Sequence, residues 1–301
     1  MDSYALVGER LEEIGFQGQH RSLAGGVFRK LRRHTMAMVG AGIVVLLVFL
    51  AVAASWIAPY KPTAIEPDNA FQGPSVQHLL GTDQYGRDIF SRIIYGARSS
   101  LSVGIISVSI SLVLGTALGL AAGYFLGIVD VVICRLMDIL YAFPPVLLAL
   151  VMIAMFGLGL DKVMLAVGVV FTPQFARVCR GCVLSEREKL YIQAARTVGA
   201  SHGRILRVHI LPNVMAPLIV QASLCMSWAI LAEAALSFLG MGTQPPNPSW
   251  GQMLNNGRGN IYHSPWEAIW PGLAIMTVVY AFNVFGDGLR DALDPMLRGG
   301  R

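Results

Sequence analysis

The side chains able to do covalent or metal chemistry are few in this chain and poorly grouped. Lysine and arginine number 23 and aspartate and glutamate 18 among 301 residues, so charged residues make up 14%, against about 25% in ordinary soluble domains. A phosphate-binding loop needs Gly-Lys followed by Ser or Thr. None of the lysines, Lys30, Lys61, Lys162 and Lys189, follows a glycine, so the chain is not expected to hydrolyse a nucleotide by itself. The histidines, His20, His34, His78, His202, His209 and His263, are scattered, and His78 and His263 are expected to be solvated rather than metal-bound. Cys179-Arg180-Gly181-Cys182 is a C-x-x-C, but no second pair accompanies it, and a metal or redox site needs more ligands. Those cysteines, with Cys134 and Cys225, read as small packing residues. No catalytic residue, no metal site and no cofactor held by this chain is expected.

The elements that must carry whatever function remains are apolar. Hydrophobic residues make up 54% and the mean hydropathy is +0.58. Crossing the hydrocarbon takes about 20 consecutive apolar residues. Residues 35–60, 99–129 and 139–160 contain no charge, and 208–232 and 268–286 are long enough to cross. Residues 163–176 reach that length if Arg177 and Arg180 stretch back to the interface. The reading is an all-α membrane protein of six transmembrane helices, at about 36–58, 100–126, 136–158, 163–180, 216–239 and 267–287, in one domain over 35–301. A cytoplasmic segment, 1–34, precedes it. With both termini inside, 17 of the 23 basic residues fall on the cytoplasmic side, as the positive-inside bias requires. Arg87, Arg92 and Arg98 crowd the outer end of the second span, where Asp83 and Asp88 are expected to offset them. The net charge of +5 is then a topology signal and implies no nucleic acid. Ala51-Val52-Ala53 has a cleavage-site pattern, but the polar leader and the length of the apolar stretch favour a retained anchor.

Packing signals follow. Gly115, Gly119, Gly123 and Gly127 repeat every four residues, a ridge that lets another helix approach closely. Pro144-Pro145 breaks the third span's hydrogen-bond ladder and makes that helix either kinked around a cavity or merely bent. Three prolines in 242–251 bar a helix there, and Trp250, Trp266 and Trp270 are expected at the outer interface. Asp130, Asp138, Asp161, Glu233 and Asp287 lie near span ends and read as interfacial or bundle-facing groups. The long internal loop, 181–213, carries Leu190, Tyr191, Ala194, Ala195 and Val198 at helical spacing, a short apolar face on a helix too charged to span. Gly199 ends that helix, and Pro212 is expected to fix the start of the fifth span. Such a helix either seats on a partner or lies flat on the bilayer.

In this loop the residues resemble the EAA loop of ABC-importer permeases. The family pattern is Glu-Ala-Ala, three residues, Gly, nine residues, Ile-x-Leu-Pro; this chain has Gln193-Ala194-Ala195, Gly199 and Leu211-Pro212 in register. It departs at Gln193, which replaces Glu, and at His209, which takes the first Ile position. Glu233-Ala234-Ala235 is a decoy, because Gly240 falls one residue late and no Leu-Pro follows. Gly81-Thr82-Asp83 with Gly86-Arg87-Asp88, Ser91-Arg92, Gly96-Ala97-Arg98, the run Leu236 to Gly240 with Gln244-Pro245-Pro246 and Trp250-Gly251, and the tail Gly286 to Pro295 are similar to dipeptide/oligopeptide/nickel permeases. The likeness is strongest to the C-type subunit of that family.

The resemblance implies a type I ABC-importer permease fold in a bacterial inner membrane. It implies a homologous B-type permease as partner, an extracytoplasmic solute-binding protein, and two ATPase subunits that hold the ATP and Mg. It places Gln193, Ala194, Ala195, Arg196 and Gly199 on a coupling helix that touches an ATPase, with Leu211 and Pro212 completing the motif. Dipeptides or oligopeptides are the leading cargo, with nickel, glutathione or another small solute as alternatives. A stand-alone secondary transporter is the reading from another class, and it would need charged groups at mid-depth. A membrane-embedded enzyme would need a cluster of His, Asp and Glu that the sequence does not show.

Overall fold

The computed structural model describes residues 31, 32 and 34–293. Most of segment 1–34, and the Asp294-Pro295 end of the tail motif, lie outside the described residues. Among the described residues the fold is all-helical, with one isolated bridge between Thr82 and Asp88. Five helices are long and apolar enough to cross a membrane: α1 (Thr35–Val52), α3 (Ile89–Phe125), α6 (Leu160–Arg187), α8 (His202–Phe238) and α10 (Trp266–Leu293). Shorter helices complete the chain: α2 (Ala54–Ile57), α4 (Gly127–Tyr141), α5 (Pro145–Phe156), α7 (Leu190–Thr197) and α9 (Trp250–Gly259).

The expected third span over 136–158 is not one helix. The chain stops at Tyr141 and restarts at Pro145, and the two pieces meet at 92°. Pro144 and Pro145 lack the N–H groups that the carbonyls of Leu140 and Tyr141 would receive four residues on, so the ladder opens there. A sixth crossing exists only if α4 and α5 together count as one.

Two other boundaries move. The helix ending the first outer loop and the second span fuse into α3, 37 residues started by Asp88, whose carboxylate accepts from Ser91 N at 2.8 Å. The fifth span starts at His202, not near Pro212. Residues Ile205–Ile210 take a π-helical turn just before that proline, which absorbs its missing donor without breaking the helix.

Packing concentrates where α3 lies on α6, the most extensive helix pair in the fold. A Cβ at Gly115 would sit 2.4 Å from Phe175 Cβ, at Gly119 2.5 Å from Cys179 Cβ, and at Gly123 2.8 Å from Val183 Cβ. The two backbones approach that closely only because these positions have no side chain. Gly127 does not belong to the ridge. It begins α4 with φ +56, and nothing lies within 4 Å of its Cβ position. Its contribution is a backbone turn open to glycine. One apolar core joins α3, α5, α6, α8 and the 181–213 loop; a second joins α1, α3, α8, α9 and α10.

Candidate functional site

The internal loop folds as a small built object. α7 has eight residues, too few to be stable alone in water. Its anchor is Ile192, fully buried with Ile205 and Ile210, while Ala195 packs half-buried against the same cluster. The opposite face is bare: Leu190 is 82% exposed, Val198 is 88% exposed, and Ala194 lies open between them. Leu190, Ala194 and Val198 follow at i, i+4 and i+8, one stripe along the helix. Gly199 closes the helix in the left-handed region, φ +83, donating to Arg196 O at 2.9 Å while Ala200 N donates to Ala195 O at 3.0 Å.

Polar contacts tie this object to the long helices. Lys189 Nζ lies 2.6 Å from Glu186 at the end of α6. The Tyr191 hydroxyl donates to Glu186 Oε1, and Asn213 Nδ2 on α8 donates to the Tyr191 oxygen at 3.1 Å. Desolvation, with the Glu186 carboxylate next, pushes the Tyr191 phenol up to about 12. Arg187 donates to the Tyr124 carbonyl at 3.0 Å, capping the end of α3. The Arg196 guanidinium stands 5.2 Å over the Tyr124 ring, and the Tyr124 hydroxyl meets His202 Nδ1 at 2.8 Å. The loop therefore grips three long helices at their ends.

The sequence-expected residues separate into two groups. Gln193 and Arg196 are exposed; the Gln193 amide turns back to donate to Glu188 O at 3.1 Å. Ala194 is open, whereas Ala195 faces the loop's own core. Leu211 packs half-buried into that core from α8, and Pro212 is exposed beside it. Sequence reasoning missed Ile192, Arg187, Tyr124 and His202. α7 is apolar on both faces, so spacing alone does not say which face turns inward, and the other three act across long chain separations.

The opposite end differs. Asp83 accepts from Arg87 Nε at 2.6 Å and lies 3.6 Å from Arg92 Nε, all three buried, so Asp83 offsets those arginines as expected. Asp88 instead pairs with His78 Nδ1 at 3.0 Å. His78 is buried, not solvated, and the described residues hold no cluster of three or more potential metal ligands. Trp250 does not mark an interface: it is 1% exposed and donates to Ile93 O at 3.0 Å. Arg177 and Arg180 pair with Asp138 at 2.7 Å and Asp130 at 2.6 Å on α4. Buried Glu233 accepts from Ser237 at 2.7 Å and Ser100 at 3.2 Å, joining α8 to α3.

Comparison with known proteins places this arrangement. Residues 115–299, more than half of the chain, match the binding-protein-dependent transport system inner membrane component, and residues 22–74 match the N-terminal transmembrane domain of oligopeptide transport permease C. The dipeptide transport system permease protein DppC of Alkalihalophilus pseudofirmus is 46% identical over 271 residues, 90% of this chain and 89% of the relative. The glutathione transport system permease protein GsiD of Escherichia coli is 46% identical over 273 residues, 90% of each chain. Among solved structures, the inward-facing MetNI methionine ABC transporter superposes with a TM-score of 0.56 at 19% identity, over 68% of this chain and 98% of that one, a likeness of fold. The chain belongs to the family of binding-protein-dependent transport system inner membrane components and is a permease subunit of an ABC importer, not itself an enzyme.

Proposed function

We propose that this chain carries dipeptides or oligopeptides across the bacterial inner membrane together with a homologous B-type permease. A soluble binding protein delivers the solute from outside, and two ATPases that hold ATP and Mg drive the cycle from the cytoplasm. In this reading the chain crosses six times with both termini inside, α4 and α5 making the third crossing. The observation that carries the reading is α7: a helix too short to cross, with a bare Leu190, Ala194 and Val198 stripe, held to α3 by Arg196 over Tyr124, to α6 by Tyr191 on Glu186 and to α8 by Asn213. A stripe of that kind suits a cleft on an ATPase. When the ATPases close, a helix fixed to three long helices passes the movement on as rigid-body rocking. The peptide cargo is supported by the dipeptide permease relative, and the glutathione permease relative, equally similar, supports glutathione as the second reading.

The test is purification of the tagged chain from its own membranes in mild detergent, with mass spectrometry of its companions. A second permease and P-loop ATPases are expected, with the ATPases lost on Leu190→Asp or Val198→Asp. Recovery of this chain alone, together with uptake driven by an ion gradient, would overturn the proposal in favour of a secondary transporter. Uptake assays with dipeptide, glutathione and nickel then separate the cargoes.

A further inference from the structure

Several polar side chains of the long helices gather near the break between α4 and α5. Gln174 on α6 accepts from Gln221 Nε2 on α8 at 3.2 Å and from Cys225 Sγ at 3.2 Å. The ring of Tyr141, the last residue of α4, lies 4.1 Å under the guanidinium of Arg177, one turn along α6 from Gln174. Arg177 in turn pairs with Asp138. Residues 141–145 are all exposed, and the carbonyls of Leu140 and Tyr141 face prolines where helical donors would be. Irregular backbone at membrane depth is tolerated where it is buried in protein or lines a water-filled cavity, and polar groups inside spans mark solute pathways. Here the opened backbone and the amide pair lie within one turn of each other along α6.

We propose that Gln174 and Gln221, facing the opened backbone between α4 and α5, line the path of the solute and hydrogen-bond its amide groups. The inference rests on the importer reading above. After their mutual bond, Gln174 keeps its Nε2 hydrogens and Gln221 keeps its Oε1. One donor and one acceptor remain whichever way the two amides are turned, which is the complement of a peptide unit. A pair built only to join α6 to α8 in lipid would leave those groups unsatisfied in hydrocarbon, at a real cost. A passing solute rich in amides satisfies them for part of the cycle, and an uncharged pair binds it weakly enough to release it.

The experiment uses the whole importer in proteoliposomes. Gln174→Cys, Gln221→Cys and, on the bare face of α1, Val45→Cys are made singly in a chain with its four cysteines changed to Ala. If that background loses uptake, labelling is scored as the increase over the native chain. A charged, water-soluble methanethiosulfonate is expected to label positions 174 and 221 but not 45, and saturating dipeptide is expected to slow that labelling. Gln174→Leu with Gln221→Leu is expected to raise the KM for dipeptide roughly threefold to tenfold, with Gln221→Asn recovering part of it. Absence of labelling at both positions with and without ATP overturns the proposal, as does an unchanged KM in the double variant. If partners and ATP-driven uptake persist, that failure falls on the pathway assignment alone; loss of ATP dependence in the native chain would fall on the importer reading.

Discussion

The two ends of this permease are finished to different degrees. At the end that holds the loop before α3, Asp83, Arg87, Arg92, His78 and Asp88 are all buried and paired, and Trp250 is enclosed against Gly96 and Ile93. At the α7 end, α7 buries one large side chain, Ile192, and leaves Leu190 and Val198 almost wholly bare. A buried ion network is strongly destabilised when one member is removed, whereas a bare apolar residue contributes little to its own fold. The first end is closed among the described residues; the α7 end has the form of half an interface. Stability and transport should therefore be separable by mutation, each sensitive at one end.

The largest effect on stability is expected from Asp83→Ala, which leaves Arg87 and Arg92 buried without their paired carboxylate and should cost about 3–5 kcal/mol. The readout is the thermal unfolding midpoint in detergent, and an unchanged midpoint would break the comparison. Gly119→Ala comes next, because its methyl would meet Cys179 Cβ and the Ala176 carbonyl, an overpacking cost of about 1–3 kcal/mol. The same change at Gly127 meets no neighbour, so its smaller penalty comes from φ alone and should lower the midpoint less. Leu190→Asp and Val198→Asp should move the midpoint by no more than about 0.5 kcal/mol while ATP-driven uptake is lost. A collapse of the fold on Val198→Asp would sink the division between the two ends.

The smallest effect is a pH effect on Tyr191. Its folded-state pKa is raised to about 12, above the ordinary tyrosine value of about 10. The contribution is therefore fully present below pH about 10 and is lost as pH rises toward 12. Hydrogen exchange in α7 should speed up across that window and should lose the pH step in Tyr191→Phe. Since the ring is partly exposed, the step is expected to be modest.

Much of the membrane domain was legible because charge is absent over long stretches, and a run such as 99–129 has few alternatives to a spanning helix. The ridge at Gly115, Gly119 and Gly123 was legible for a similar reason: four-residue spacing puts all three on one helix face. Gly127 obeys the same spacing yet stands outside, because Leu126 and Gly127 turn the chain at positive φ and end α3. The site was legible as a motif but not as a geometry. Nothing local distinguishes Ile192 from Leu190, and only the partners of Ile192, Ile205 and Ile210, decide which points inward. Trp250 shows the same limit, since its hydrogen bond spans 157 residues of sequence. The 92° break was legible at Pro144-Pro145 as a weakness, but the ion pairs of Asp138 and Asp130 that join α4 to α6 cross 39 and 50 residues of sequence and were not.

The π-helical turn at Ile205–Ile210 carries one more residue per turn than its surroundings. In an α-helix one residue corresponds to about 100° of rotation about the axis. The turn therefore sets the angular phase between two parts of a single rod: the part that meets Tyr124 through His202, and the part that presents Gln221 and Glu233. Deleting one residue from 205–210 would keep both parts helical yet turn one against the other by about that angle. In α8 the aim of the membrane-embedded residues is stored as a residue count, independently of any contact those residues make.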